Sequence, residues 1–135
     1  MLKAGNILSA LGVSALVGGM LFFGAIMAPL VFTKLPPDVA GPFIRVAFPR
    51  YYAFIVASAG LGAVGYLVRG QWVSAIVLLL MVGVTLWLWF WLIPHLNALR
   101  EVGDTAGFAR GHRLSVWING AELLSALGLL IRAAI

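Results

Sequence analysis

Four runs of apolar residues dominate the chain: Ile7 to Val31, Tyr51 to Val68, Trp72 to Leu92 and Arg113 to Ile131. Each comes close to the roughly 20 apolar residues that a helix needs to cross a hydrocarbon core. Inside lipid every backbone N–H and C=O must find its partner within the protein, which leaves the helix as the solution for each separate run. The sequence therefore predicts an all-α integral membrane fold, with four transmembrane helices in an antiparallel bundle. The intervals Phe32 to Arg50 and Ile93 to His112 are too short to hold a soluble domain, so residues 1–135 read as one four-helix unit. With 63% hydrophobic and 10% charged residues, the composition is far from the quarter charged that is usual in soluble domains.

The first twenty residues place Lys3 ahead of an apolar stretch, as a signal peptide does, but the stretch runs on through "LFFGAIMAPLVF" and reads as a retained first helix. There is no cysteine, which excludes disulfides and thiolate metal sites. The net charge of +5 does not point to nucleic acid, because basic residues flanking membrane spans are the usual topology signal. Lys34, Arg45, Arg50, Arg100, Arg110 and Arg113 lie on the side of the two longer connections, against Lys3, Arg69 and Arg132 on the other. That asymmetry predicts long connections in the cytoplasm and both termini outside; the membrane is expected to be a bacterial inner membrane.

The two halves look alike. "MAPLVFTKLPPDVAGPF" follows the first span and "LIPHLNALREVGDTAGF" the third, with Pro29 matching Pro94 and Asp38-Val39-Ala40-Gly41 matching Asp104-Thr105-Ala106-Gly107. Two tandem hairpin repeats, each a span, a proline, an Asp-capped segment and a return span, would account for this. Within the first half, residues 37–48 form an amphipathic segment expected to lie in the headgroup region, with Arg45 and Arg50 available to phosphates, before Pro49 turns the chain into the second span.

Small residues at Gly12, Ala15, Gly19, Ser58 and Gly62 predict close helix packing, within the bundle or in a homo-oligomer. The aromatic residues Trp87, Trp91, Tyr51, Tyr52 and Trp117 are expected in an interfacial belt at one end, with Tyr66 and Trp72 at the other. Trp87 and Trp91, one turn apart, would serve a flat cofactor only if they faced inward.

The last span carries the polar groups that bear on function. His112, Ser115, Asn119 and Glu122 project within less than a quarter turn at about 100° per residue. Glu122 falls near the middle of its span, where an ionised carboxylate costs several kcal/mol. It should carry a proton, share a hydrogen bond with Asn119, Ser58, Thr85 or water, or bind a cation. Interhelical glue worth about 1 kcal/mol is the competing account. His95 and His112 fall near the same end and together could ligate copper, another metal ion or a haem iron, although they lack a metal-binding spacing. His95 follows Pro94 and could equally serve the helix kink there. No phosphate loop, nucleophile elbow or dinucleotide fingerprint is present, so nothing in the sequence names an enzyme.

The stretches "GGMLFFGAIMAPLVFTKLPPDVAGPFIRVAFPRYY", "LNALRE" and "HRLSVWIN" resemble an uncharacterised four-helix membrane family that includes the eukaryotic transmembrane protein associated with platinum-drug resistance. By that resemblance Pro29, Pro49, Arg50, Tyr51, Asn97, Arg100, His112, Arg113 and Asn119 occupy motif positions. More distantly the layout is similar to copper-resistance D proteins and to the four-helix, haem-carrying protoporphyrinogen oxidase, without their ligand sets.

Three functions follow as expectations. The leading one is a protein of the lipid bilayer that binds or transports a small cation or metal species, in a tolerance or efflux role. Its ligand-binding residues would be His112, Ser115, Asn119, Glu122, Arg113 and Asn97. The second is a haem or quinone redox protein built on His112 and the Trp87/Trp91 face, and the third is an assembly partner of another membrane protein.

Overall fold

A computed structural model describes all 135 residues as four long helices. These are α1 (Leu2–Lys34), α2 (Pro37–Val68), α3 (Trp72–Glu101) and α4 (Thr105–Ala134), each long and apolar enough to cross a membrane. Connections of two or three residues make neighbouring helices antiparallel. Gly70 (φ 71°) and Gly103 (φ 79°) take the left-handed conformation in the two three-residue connections, where a Cβ would be strained.

The helices are longer than the apolar runs. At 1.5 Å per residue the 32 residues of α2 span about 48 Å, against a hydrocarbon core of about 30 Å. The excess collects at the end that the sequence reading left as long connections. Residues 37–48 are not a separate segment, and Pro49 does not break the chain: both Pro42 and Pro49 lie inside α2. The carbonyl that Pro49 leaves without its helical donor is that of Arg45, an exposed residue in the third turn of α2. One turn on, the Arg50 guanidinium donates to the Val46 carbonyl at 3.0 Å.

Pro29 and Pro94 act differently. Phe22–Met27 of α1 and Leu88–Leu92 of α3 are π-helical. Each stands just before a proline that lacks an N–H, and a widened turn both relieves the ring clash and reassigns the bonds. The Ala28 N–H donates to the Phe23 carbonyl, and the Ile93 N–H to the Leu88 carbonyl, each a five-residue step. These pairs, like Pro29 and Pro94, stand 65 residues apart (93 − 28, 88 − 23, 94 − 29). The likeness of the halves thus extends to backbone geometry. It stops at the caps, since Asp104 Oδ1 accepts from the Gly107 N–H at 2.9 Å at the start of α4, whereas Pro36 stands at the cap of α2 and Asp38 is already in its first turn.

The closest packing joins α1 to α2. A Cβ on Gly12 would collide with the Gly62 backbone and the Ser58 carbonyl, and one on Gly65 with the Ser9 backbone and the Gly5 carbonyl. The small-residue faces are therefore used inside the bundle. Val13, Leu16, Tyr52, Ile55, Leu78 and Leu88 fill the centre and are almost wholly buried. Gly12→Val is expected to lower the stability of the detergent-solubilised protein by about 3 kcal/mol, the upper end for overpacking. Gly60→Ala, where nothing stands within 4 Å of an added Cβ, should leave the thermal midpoint unchanged or slightly raised.

Candidate functional site

The polar stripe of α4 points into the bundle at its inner members. Glu122 is only 6% exposed and Ser115 is 8% exposed, while Asn119 is half-buried. Each of the two deeper groups meets a different helix. The Tyr51 hydroxyl of α2 donates to the Asn119 amide oxygen at 3.0 Å, and the Thr85 hydroxyl of α3 donates to Glu122 Oε2 at 2.6 Å. Glu122 Oε1 is buried with no hydrogen-bond partner. Ser115 satisfies itself on its own helix, its hydroxyl donating to the His112 carbonyl at 2.6 Å.

Tyr51 and Tyr52 were expected in the interfacial belt, and both are instead buried. Tyr51 is held by Phe23, stacked at 4.2 Å, with Phe48 at 6.4 Å and Tyr52 at 5.8 Å. Phe23 belongs to the π-helical turn of α1, so the irregular backbone before Pro29 delivers the ring that backs the Tyr51–Asn119 pair. The hydroxyl faces inward because an aromatic cluster on three sides leaves α4 as the available partner.

Glu122 also borders a groove between α3 and α4, lined by Val77, Leu80, Met81, Val84, Ile118, Ala121 and Ser125. Its apolar walls make it a lateral opening toward lipid rather than a hydrated channel to one surface. Toward the long-connection end, Asn119 and Ser115 carry the polar line from Glu122 to His112, which is exposed and stacks on Phe108 at 6.1 Å. Toward the other end, the next inward positions of α4, Ala126 and Leu129, are buried and apolar. The line is one-sided.

The remaining predicted residues separate. His112 and Asn97 border one cleft, together with Arg45 and Arg100. His95 borders another with Trp87 and Trp91, in a continuous stack at 5.3 and 5.0 Å. The two histidines therefore serve different clefts, and no group of three or more His, Asp or Glu side chains is placed to hold a metal ion. Trp87 and Trp91 stack but are 42% and 54% exposed, so their shared face is turned outward. Arg113 is exposed. Sequence reasoning missed the inward role of Tyr51; the signal available was "FPRYY", whose paired tyrosines flank a span that also carries Ser58 on its inner face.

Residues 11–105 match a family described as a domain of unknown function (DUF4149). No curated protein and no solved structure matches. The matched region includes Tyr51 and Thr85 but ends before the stripe of α4 and before "HRLSVWIN".

Thr85→Val keeps the shape of the buried side chain and removes the donor to Glu122. It should cost about 1–3 kcal/mol, the penalty for stranding a buried polar group. Tyr51→Phe should cost less, about 0.6 kcal/mol as for an average interhelical bond in lipid, because half-buried Asn119 can turn to another partner. Denaturation of the two variants in detergent checks the order.

Proposed function

We propose that this chain, which belongs to the DUF4149 family, binds and exchanges a small cation at Glu122, and that the proton is the cation its surroundings fit best. The observation that carries the reading is the Glu122 carboxyl itself: buried in the bundle, with Oε2 held by Thr85 and Oε1 facing no partner. A carboxyl kept this way is expensive unless its protonation or an ion is part of the purpose. A metal ion would want several ligands, and one carboxyl with one hydroxyl supplies too few. The mouth of the stripe is lined by two guanidinium groups, which repel a metal cation.

Protons need no such cage. Asn119 with Tyr51 and Glu122 with Thr85 are two separate hydrogen-bonded pairs on the face of α4 that leads to His112, and an intramembrane carboxyl on such a face is a candidate for proton exchange. A role in metal tolerance, suggested by the resemblance to resistance-associated proteins, would then act through a proton gradient rather than a metal site. Placement in a bacterial inner membrane, with the His112 end in the cytoplasm, is part of the same reading.

The competing account is glue, favoured by the fact that Asn119 and Glu122 tie α4 to α2 and α3. Glu122→Gln separates the two, since Gln keeps an acceptor for Thr85 but cannot exchange a proton. A pH jump on the detergent-solubilised protein, followed with a pH-sensitive dye, should release one proton per chain more from wild type than from Glu122→Gln. Glu122→Gln should keep a thermal midpoint near wild type. Equal proton release from the two proteins would sink the proposal.

A further inference from the structure

At the end where Leu35–Pro36 and Val102–Asp104 join the helices, they leave a cleft of about 180 Å³, distinct from the Glu122 groove. Arg45 comes from α2, Asn97 and Arg100 from α3, and His112 from α4. No Asp or Glu lines it, although Asp38, Glu101 and Asp104 lie at the same end. None of the side-chain hydrogen bonds of the chain engages Arg45, Asn97, Arg100 or the His112 ring. Two like charges thus share a cleft without a counter-ion.

The rest of the wall is apolar. Phe48 and Ile93 form part of it, and the Arg100 guanidinium lies over the Phe108 ring at 4.5 Å. Stacking occupies one face of the guanidinium and leaves its edge N–H groups free, the geometry suited to a planar fork on an oxyanion. Phe32, 59% exposed, borders one side. Gly41 borders it too, and a Cβ there would meet nothing within 4 Å. These two positions leave an exit toward lipid. At about 30 Å³ per water, the cleft has room for a phosphate head and a few carbons, and a longer chain would have to leave by that exit.

We propose that this cleft binds a phosphate-headed amphiphile, its oxyanion between Arg45 and Arg100 with Asn97 and His112 as further donors, and its chain leaving past Phe32 and Gly41. Basic clefts between membrane helices at the headgroup level take anionic lipid heads in this manner. The head chemistry is shared by bilayer lipid and by free phosphate, and the apolar wall favours the lipid. The cleft takes in His112 and Ser115 at the outer end of the α4 stripe, with His112 ten residues and about 15 Å along the helix from Glu122, and the proposal does not rest on proton exchange.

Native mass spectrometry of the full chain in a neutral detergent tests this, with dodecyl phosphate, phosphatidylglycerol and inorganic phosphate as probes. Wild type should retain one phosphatidylglycerol and bind dodecyl phosphate, with inorganic phosphate competing only weakly. The double variant R45Q/R100Q should bind dodecyl phosphate about tenfold more weakly or worse, as for loss of charge-assisted hydrogen bonds. Arg110→Gln, a charge at the same end that does not line the cleft, should bind as wild type. Gly41→Leu, whose Cβ would meet nothing within 4 Å, should narrow the exit, weaken dodecyl phosphate and spare inorganic phosphate. Unchanged binding in the double variant, or equal losses in Arg110→Gln, would overturn the site. Inorganic phosphate displacing dodecyl phosphate at equal concentration would overturn the amphiphile in favour of a bare anion.

Discussion

Inside a bilayer a carbonyl that loses its helical partner has no water to replace it, and Pro29 and Pro94 both create that situation. The chain answers both times with a π-helical turn at equivalent places. The consequence reaches beyond the backbone. The turn in α1 carries Phe23 onto Tyr51, and Tyr51 in turn meets Asn119. A local answer to a missing N–H thereby orients the polar side chain that ties α4 to α2.

The same lack of water explains how the bundle is held. Lipid chains are as apolar as leucine, so close packing and hydrogen bonds must bring the helices together. Gly12, Gly62 and Gly65 let the α1 and α2 backbones touch. Hydrogen bonds from Tyr51 and Thr85 secure α4. The one glycine of α3, Gly83, meets no neighbour, and the groove beside Glu122 lies between α3 and α4.

Much of this was legible in advance for physical reasons. Apolar run length reports transmembrane helices directly, and the helical projection of His112, Ser115, Asn119 and Glu122 needed only the period of 3.6. Thr85 was among the partners foreseen for Glu122, because few polar groups occur at that depth. The continuity of α2 through Pro49 was not legible, since a proline can end a helix or sit kinked inside one and residue type alone does not decide between them. Nor was the inward turn of Tyr51 and Tyr52, because a tyrosine beside a span suits a headgroup belt and an aromatic cluster equally well. The cleft of Arg45 and Arg100 was hidden for a further reason: it is assembled from separate helices, and Arg45 had looked like a surface contact to lipid phosphates.

Charge divides the molecule accordingly, with one acid in the apolar middle and a basic rim at one end. The central claim is that Glu122 is an exchangeable acid reachable from lipid. A membrane-soluble carbodiimide tests it most directly, because it adds across a protonated carboxyl and leaves ionised carboxylates in water largely untouched. Peptide mapping by mass spectrometry should find the adduct on Glu122, in preference to Asp38, Glu101 and Asp104, and its yield should fall as pH rises. No adduct on Glu122 at any pH, in protein that still labels elsewhere, would contradict the account.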